Sequence, residues 1–263
     1  MSTLRPYTRV IRQQIANSLA KLMAFRLSFI FLILVEVASL ITAYIPASFL
    51  FNHVERVGPW NRSEFMFFIF WTQGMFCCHN GLVAPNFWNF AAEIRTGALD
   101  FRLLRPLGSV FDVMTAISRP ASLMMLPISA CCLVYFGLQI QLSILAWLTM
   151  PFVFCLAFLT MVVIELNLAC LTFWTKGGDG ANFVRMQCQQ IQRWPDFMYP
   201  KRSRLFFSTA IPVLASGSFS VQFIFDTSRW DRIVLMGLAA LVFWLLASYV
   251  WSRGLRQYES ASS

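Results

Sequence analysis

The chain has 263 residues, 58% hydrophobic and only 13% charged, with a net charge of +9. Soluble domains are about 25% charged, so this composition excludes a soluble enzyme and leaves room for no soluble domain of useful size. The basic residues gather at the ends of apolar runs, where they set orientation and meet anionic head groups; nucleic acid is not an expected partner.

The amino terminus is basic and polar ahead of any apolar run, so no cleavable signal peptide is expected. In the segment 5–24, Val10, Ile11, Ile15, Leu19, Leu22 and Met23 recur at helical spacing opposite Arg5, Arg9, Arg12 and Lys21. That pattern predicts an amphipathic helix lying in the head-group plane. The first span is expected over 27–51, long enough to cross a core of about 30 Å with some tilt. Glu36 sits near its middle, where a carboxylate must face protein or water rather than lipid. It is read either as a path or subunit contact or as a hydrogen-bonded packing residue. A short outer loop, 52–63, leads to an aromatic-rich second span over 64–85 that carries Gln73, His79 and Asn80.

The segment 93–106, EIRTGALDFRLLRP, is a polar island between oily runs. Its five charges, Glu93, Arg95, Asp100, Arg102 and Arg105, place it in water, and its excess of Arg places that water in the cytoplasm. Ile94, Leu99, Leu103 and Leu104 suggest a short amphipathic helix, with Gly97 breaking the backbone and Pro106 ending the segment. Leu99, Leu103 and Leu104 are expected to share a face, with Asp100 and Arg102 projecting outward.

A third span is expected over 110–137, a tight turn at 138–141 and a fourth span over 142–173. Glu165 in the fourth is expected either to reach the inner interface or to pair with Arg119 in the third. A second cytosolic loop is expected over 174–204, helical over 183–194, then a fifth stretch over 205–225 interrupted at Pro212 and 216–220 and read as a shorter helix plus a re-entrant piece, a sixth span over 233–251 and a cytosolic tail. The string TKGGDG lacks the spacing of a phosphate-binding loop, and no strand precedes it. The seven Cys show no C-x-x-C spacing and read as small packing residues. His53 and His79 are too poorly accompanied to suggest a metal site. Counting Lys and Arg, 17 of 21 fall in the segments taken as inner, which gives six spans with both termini cytoplasmic.

Three segments carry a family resemblance. Gly97, Leu99-Asp100 and Leu103-x-Arg105-Pro106 resemble the cytosolic loop of ABC-2-type permeases, the membrane subunits of ATP-binding-cassette exporters. RWPDFMYP, 193–200, resembles the entry to the fifth span in the branch whose ATPase is a separate polypeptide, and the tail G-L-R-x-Y-x-S-A resembles the family's ending. The fold this implies is an all-α integral membrane protein: an interfacial segment 1–26, a six-span bundle 27–252 and a tail 253–263, with a short coupling helix between spans two and three.

The resemblance further implies a multi-pass protein of the bacterial cytoplasmic membrane that is not itself an enzyme. It would work by alternating access with two separate ATPase subunits and a second permease, identical or related, and contact membrane lipids. The chain binds no cofactor, ATP and Mg residing on the ATPase. Glu93, Arg95, Gly97, Asp100, Arg102, Arg105 and Pro106 are the expected ATPase-coupling residues. Glu36, Phe68, Gln73, Phe76 and Asn80 are the expected lining of a path for hydrophobic or amphipathic cargo. The rival readings are a membrane enzyme acting on lipid-linked substrates, for which no cluster of catalytic groups appears at one face, and a non-transporting scaffold or channel subunit.

Overall fold

The computed structural model describes residues 26–106, 108–175 and 179–258, together with 10, 12–14, 16–18 and 20. Those nearer the amino end are helical; Arg5, Arg9, Ile11, Ile15, Leu19, Lys21, Leu22 and Met23 of the expected interfacial helix lie outside the described residues. Helix α1, Arg26–Leu50, is built from Leu, Ile, Val and Phe with no charge but Glu36 after its first residue. One face of it is exposed, as expected of a helix facing lipid or a second subunit, while Glu36, Ser39, Leu40 and Ala43 are half-buried and Ala47 is buried. A two-residue hairpin follows, β1 (Arg56–Val57) against β2 (Trp60–Asn61), turned by Gly58 at φ +60. Asn61 then starts α2, Arg62–Leu82, through a capping box with Glu64.

Helix α2 is the buried centre of the bundle, with Phe65, Phe67, Phe68 and Trp71 fully enclosed. Pro85 opens α3, Ala84–Thr96, and Gly97 closes it in the left-handed region, φ +73. A five-residue helix α4, Leu99–Leu103, and then α5, Ser109–Thr115, complete the loop.

The expected third span is not continuous. The chain breaks at 116–119 because Pro120 keeps Arg119 out of helical geometry, φ −117 and ψ 85. The Asn86 side chain stitches the break, donating to the Ile117 carbonyl at 2.9 Å and accepting from the Ile117 amide at 2.8 Å. The crossing starts instead at α6, Pro120–Leu123, and continues as α7, Leu126–Ile140. Gln141, at φ +59, turns the chain into α8, Ile144–Cys170, which Ser143 caps.

The larger departure is the segment expected as a second cytosolic loop. Helix α9, Asp179–Gln192, runs through the molecule. It begins beside Glu165 and Phe87, and after its last turn Phe197 packs on Trp60 of the β-hairpin, ring centroids 4.9 Å apart. Its amphipathicity is inverted: Asn182, Arg185 and Gln192 are buried while Phe183, Val184 and Met186 are exposed. The helical stretch expected over 183–194 is present, shifted toward the amino end; what hydropathy does not reveal is that its polar stripe turns inward.

Helix α10, Lys201–Thr209, leads back into the bundle, where Val213 meets Ile164 and Cys188. A π-helical turn, Ala215–Phe219, and α11, Ser220–Phe225, return the chain to Trp60. The expected fifth stretch is therefore a re-entrant hairpin, with Pro212 at its inner bend. Helix α12, Trp230–Gln257, is the last crossing.

Four of the described helices are long and apolar enough to cross a membrane: α1, α6–α7, α8 with its terminal turn, and α12. The molecule has a hairpin end, cored by Trp60, Phe65 and Phe67, and a loop end, where Phe87, Phe90, Leu99, Cys170 and Trp251 pack together.

Candidate functional site

At the loop end, α3 and α4 meet at the αL glycine, and a network of ion pairs fixes their angle. Arg102 donates to Glu93 at 2.5 Å and lies 3.5 Å from the Asp112 carboxylate. Arg105 reaches the same carboxylate at 3.1 Å. Asp112, on α5, has no solvent exposure, so this buried group ties α4 to the next helix. Leu99 plugs inward, whereas Phe101 is 74% and Leu104 82% exposed. The expected polarity of the loop is thus reversed at its tip. Arg102 turns in, and Leu103 and Leu104 turn out with Phe101, while Leu99 alone of the three leucines is buried. Burial first, and then the facing Asp100 carboxylate, push the Tyr258 phenol above its ordinary pKa. Asp100 therefore faces the chain's own carboxyl-terminal segment.

Toward the loop end of the bundle, a second network joins α2, α8 and α9. His79 Nε2 lies 2.8 Å from Glu165 Oε2, and Gln189 donates to Oε1 at 2.9 Å. Arg185 approaches Oε2 at 3.3 Å, donates to Asn182 at 2.5 Å and stacks over Phe87, 4.3 Å from the ring centroid. All three charged or chargeable groups are buried. The expected pairing of Glu165 with Arg119 is replaced by these partners; Arg119 is exposed at the break before α6, held by its amide donating to the Gly81 carbonyl at 2.7 Å.

Beside this network a cleft of about 200 Å³ opens between α1, α2 and α9, lined by Thr42, Pro46, Thr72, Gln73, Arg193 and Trp194 among others. The Arg193 guanidinium lies over Phe76, 3.8 Å from the centroid, and makes no ion pair within the described residues. Gln73 donates to Ser39 at 3.3 Å across the α1–α2 contact. The cleft thus combines one cation, two amides including Gln190, and apolar walls.

The sequence profile of the ABC-2 family transporter proteins matches residues 37–262. The chain belongs to the ABC-2 transporter family. No curated protein and no solved structure gives a match. The match runs from within α1 beyond the end of α12, so the loop, the buried network and the cleft all lie inside the family region of this permease.

Five residues were expected along a path through the permease, and they fall in different places. Gln73 lines the cleft and Phe76 its neighbouring recess. Phe68 is fully buried against Trp60 and does not line the cleft. Glu36 accepts a short hydrogen bond from Ser122 of α6, and Asn80 is half-buried one helical position beyond His79. Sequence reasoning missed Arg193, Gln190 and Asp112. The first two were assigned to a water-exposed loop, although the i, i+3, i+7 spacing of Asn182, Arg185 and Gln189 is the signal of a polar helix face. Asp112 was read as part of an apolar run.

Proposed function

We propose that this permease is the membrane subunit of an ABC exporter whose ATPase is a separate chain. It moves hydrophobic or amphipathic cargo across the bacterial cytoplasmic membrane. Two ATPase subunits and a second permease complete the transporter, and ATP and Mg are handled by the ATPases. The loop end is cytoplasmic, and the chain crosses six times with α9 as the fifth crossing, so both termini are cytoplasmic. Taking α9 as a crossing moves Arg193, Lys201, Arg202 and Arg204 off the loop side; it narrows the charge bias without reversing it.

The observation that carries this reading is the tip of the loop. Phe101 and Leu104 are held outward on a short helix whose backing, Glu93, Arg102, Arg105 and Asp112, is cross-linked by ion pairs. A rigid apolar tip exposed at the cytoplasmic end has no use to a solitary chain and suits a socket on a partner. Gly97 and Pro106 set where the tip starts and stops, and Arg95 and Arg105 flank it. ATP-driven closure of the ATPases would move this tip and, through α3 and α2, the cleft among α1, α2 and α9, which supports alternating access.

The experiment is co-purification of the ATPase with the permease in detergent. Phe101→Asp and Leu104→Asp alter only the surface, Arg105→Glu places a carboxylate against buried Asp112, and Asp100→Arg reverses the charge facing Tyr258. Phe101→Asp, Leu104→Asp and Asp100→Arg are expected at normal yield and Arg105→Glu at reduced yield, each with little ATPase retained per permease and no coupled hydrolysis. Full retention in all four would return the loop to a topology-setting role.

A further inference from the structure

We propose that the break at 116–119 forms the head-group pocket of a bound anionic phospholipid, with its acyl chain lying in the adjoining apolar groove. Two cavities meet here and share Gln14 and Ser118. The first, about 350 Å³, is polar: Asn17, Ser18, Ser28, Ser118 and Arg119 line it. The second, about 370 Å³, is walled by Leu82, Val83, Met114, Phe158, Leu159 and Val162. One end offers a cation and hydroxyls; the other is mainly hydrocarbon, with Thr115 its one polar residue besides the shared Gln14 and Ser118. That is the shape and polarity of an amphiphile with an anionic head.

Several observations favour a ligand over a chance gap. Arg119 is exposed and makes no ion pair within the described residues, although carboxylates are available elsewhere at this end. Its backbone is fixed by the Gly81 bond, and that of Ile117 by Asn86, so the pocket floor is rigid. Ser118 donates to Ser18 at 3.0 Å, which seats the amino-terminal helical segment as the pocket's outer wall. The Gln14 amide oxygen is buried between the two cavities without a hydrogen-bond partner among the described residues, a position that a hydroxyl of a lipid head group would satisfy. Basic pockets between transmembrane helices near a membrane surface are where anionic head groups bind. The site lies apart from the cleft at Arg193, and its occupancy does not depend on the transport reading.

The test uses the full chain reconstituted in vesicles of phosphatidylcholine containing a trace of spin-labelled lipid. The fraction of immobilised phosphatidylglycerol is compared with that of phosphatidylcholine. The wild type is expected to prefer phosphatidylglycerol, and Arg119→Gln to lose roughly five-fold of that preference, the worth of one basic residue at an anionic surface. Arg119→Lys should retain it. Val162→Trp, which fills the groove, should release the immobilised lipid of either head group. Equal preference in Arg119→Gln and wild type would overturn the proposal. So would displacement of the labelled lipid by millimolar glycerol phosphate in wild type, which would mark a site for a soluble anion instead.

Discussion

Removing Arg185 tests whether the buried network is what holds α9 inside the bundle. Its guanidinium and the Glu165 carboxylate are 3.3 Å apart, with side-chain exposures of 2% and 3%. At an effective dielectric of about 20 their attraction is on the order of 5 kcal/mol before desolvation is counted. Desolvation offsets much of this, so the pair has little net value against an apolar replacement. Breaking it is another matter, because Glu165 is left charged and buried, at a cost of about 3–5 kcal/mol. His79 and Gln189 still donate to Glu165, which places Arg185→Met near the lower bound. At roughly 2–4 °C per kcal/mol for a chain of 150–250 residues, that lowers the melting temperature by about 6–12 °C. The assay is monodispersity after heating in detergent, with Arg185→Met, Glu165→Gln and the double variant compared as a cycle. The double variant should recover at least half the loss, since no unpaired charge remains. Strict additivity, or a single-variant loss within about 1 kcal/mol, would refute the argument.

The other expectations are narrower. A Cβ at Gly217 would lie 2.8 Å from the Gln192 carbonyl oxygen, which cannot swing aside, so Gly217→Ala should cost about 1–3 kcal/mol in the same heating assay. Gly237, mid-helix with nothing within 4 Å, should instead gain up to about 1 kcal/mol on substitution by Ala. In a background without native Cys, Lys201→Cys should be labelled by an impermeant reagent in intact cells and Arg95→Cys should not; protection of both would place α9 outside the membrane. Glu36→Gln keeps an acceptor for Ser122 but removes a charge that acts on Arg193, so insertion should persist while cargo-stimulated hydrolysis by the ATPase falls. Unchanged hydrolysis would leave Glu36 a packing residue.

Much of this architecture was legible in the residues. The expected first span, 27–51, differs from Arg26–Leu50 by one residue at each end, because an unbroken apolar run is a signal that burial cannot disguise. Gly97 and Pro106 marked the loop for reasons of backbone geometry alone. Hydropathy failed where polar groups face inward. In α9, Asn182, Arg185 and Gln189 satisfy one another and Glu165, so a helix that sounds aqueous is enclosed. The third span failed at Pro120, whose effect on Arg119 outweighed the apolar run around it. The loop's charges were legible as charges, but their partners were not: Asp112 lies seven residues from Arg105 and ten from Arg102, across a turn that periodicity does not fix.

Those partners have a consequence for how a transporter would assemble. Glu93, Asp100 and Asp112 balance Arg95, Arg102 and Arg105, so the segment carries no net charge, and most of it cancels within a few ångströms. Seen from beyond a Debye length, about 8 Å at physiological ionic strength, such a surface is electrically quiet. An incoming subunit would be neither drawn in nor turned by this segment's own field; any steering would come from basic residues elsewhere on the loop end, such as Arg119 and Arg253. Raised salt would leave the docked pair largely intact. Discrimination among the many ATPases of a cell would fall to the fit of two side chains, Phe101 and Leu104, in their socket.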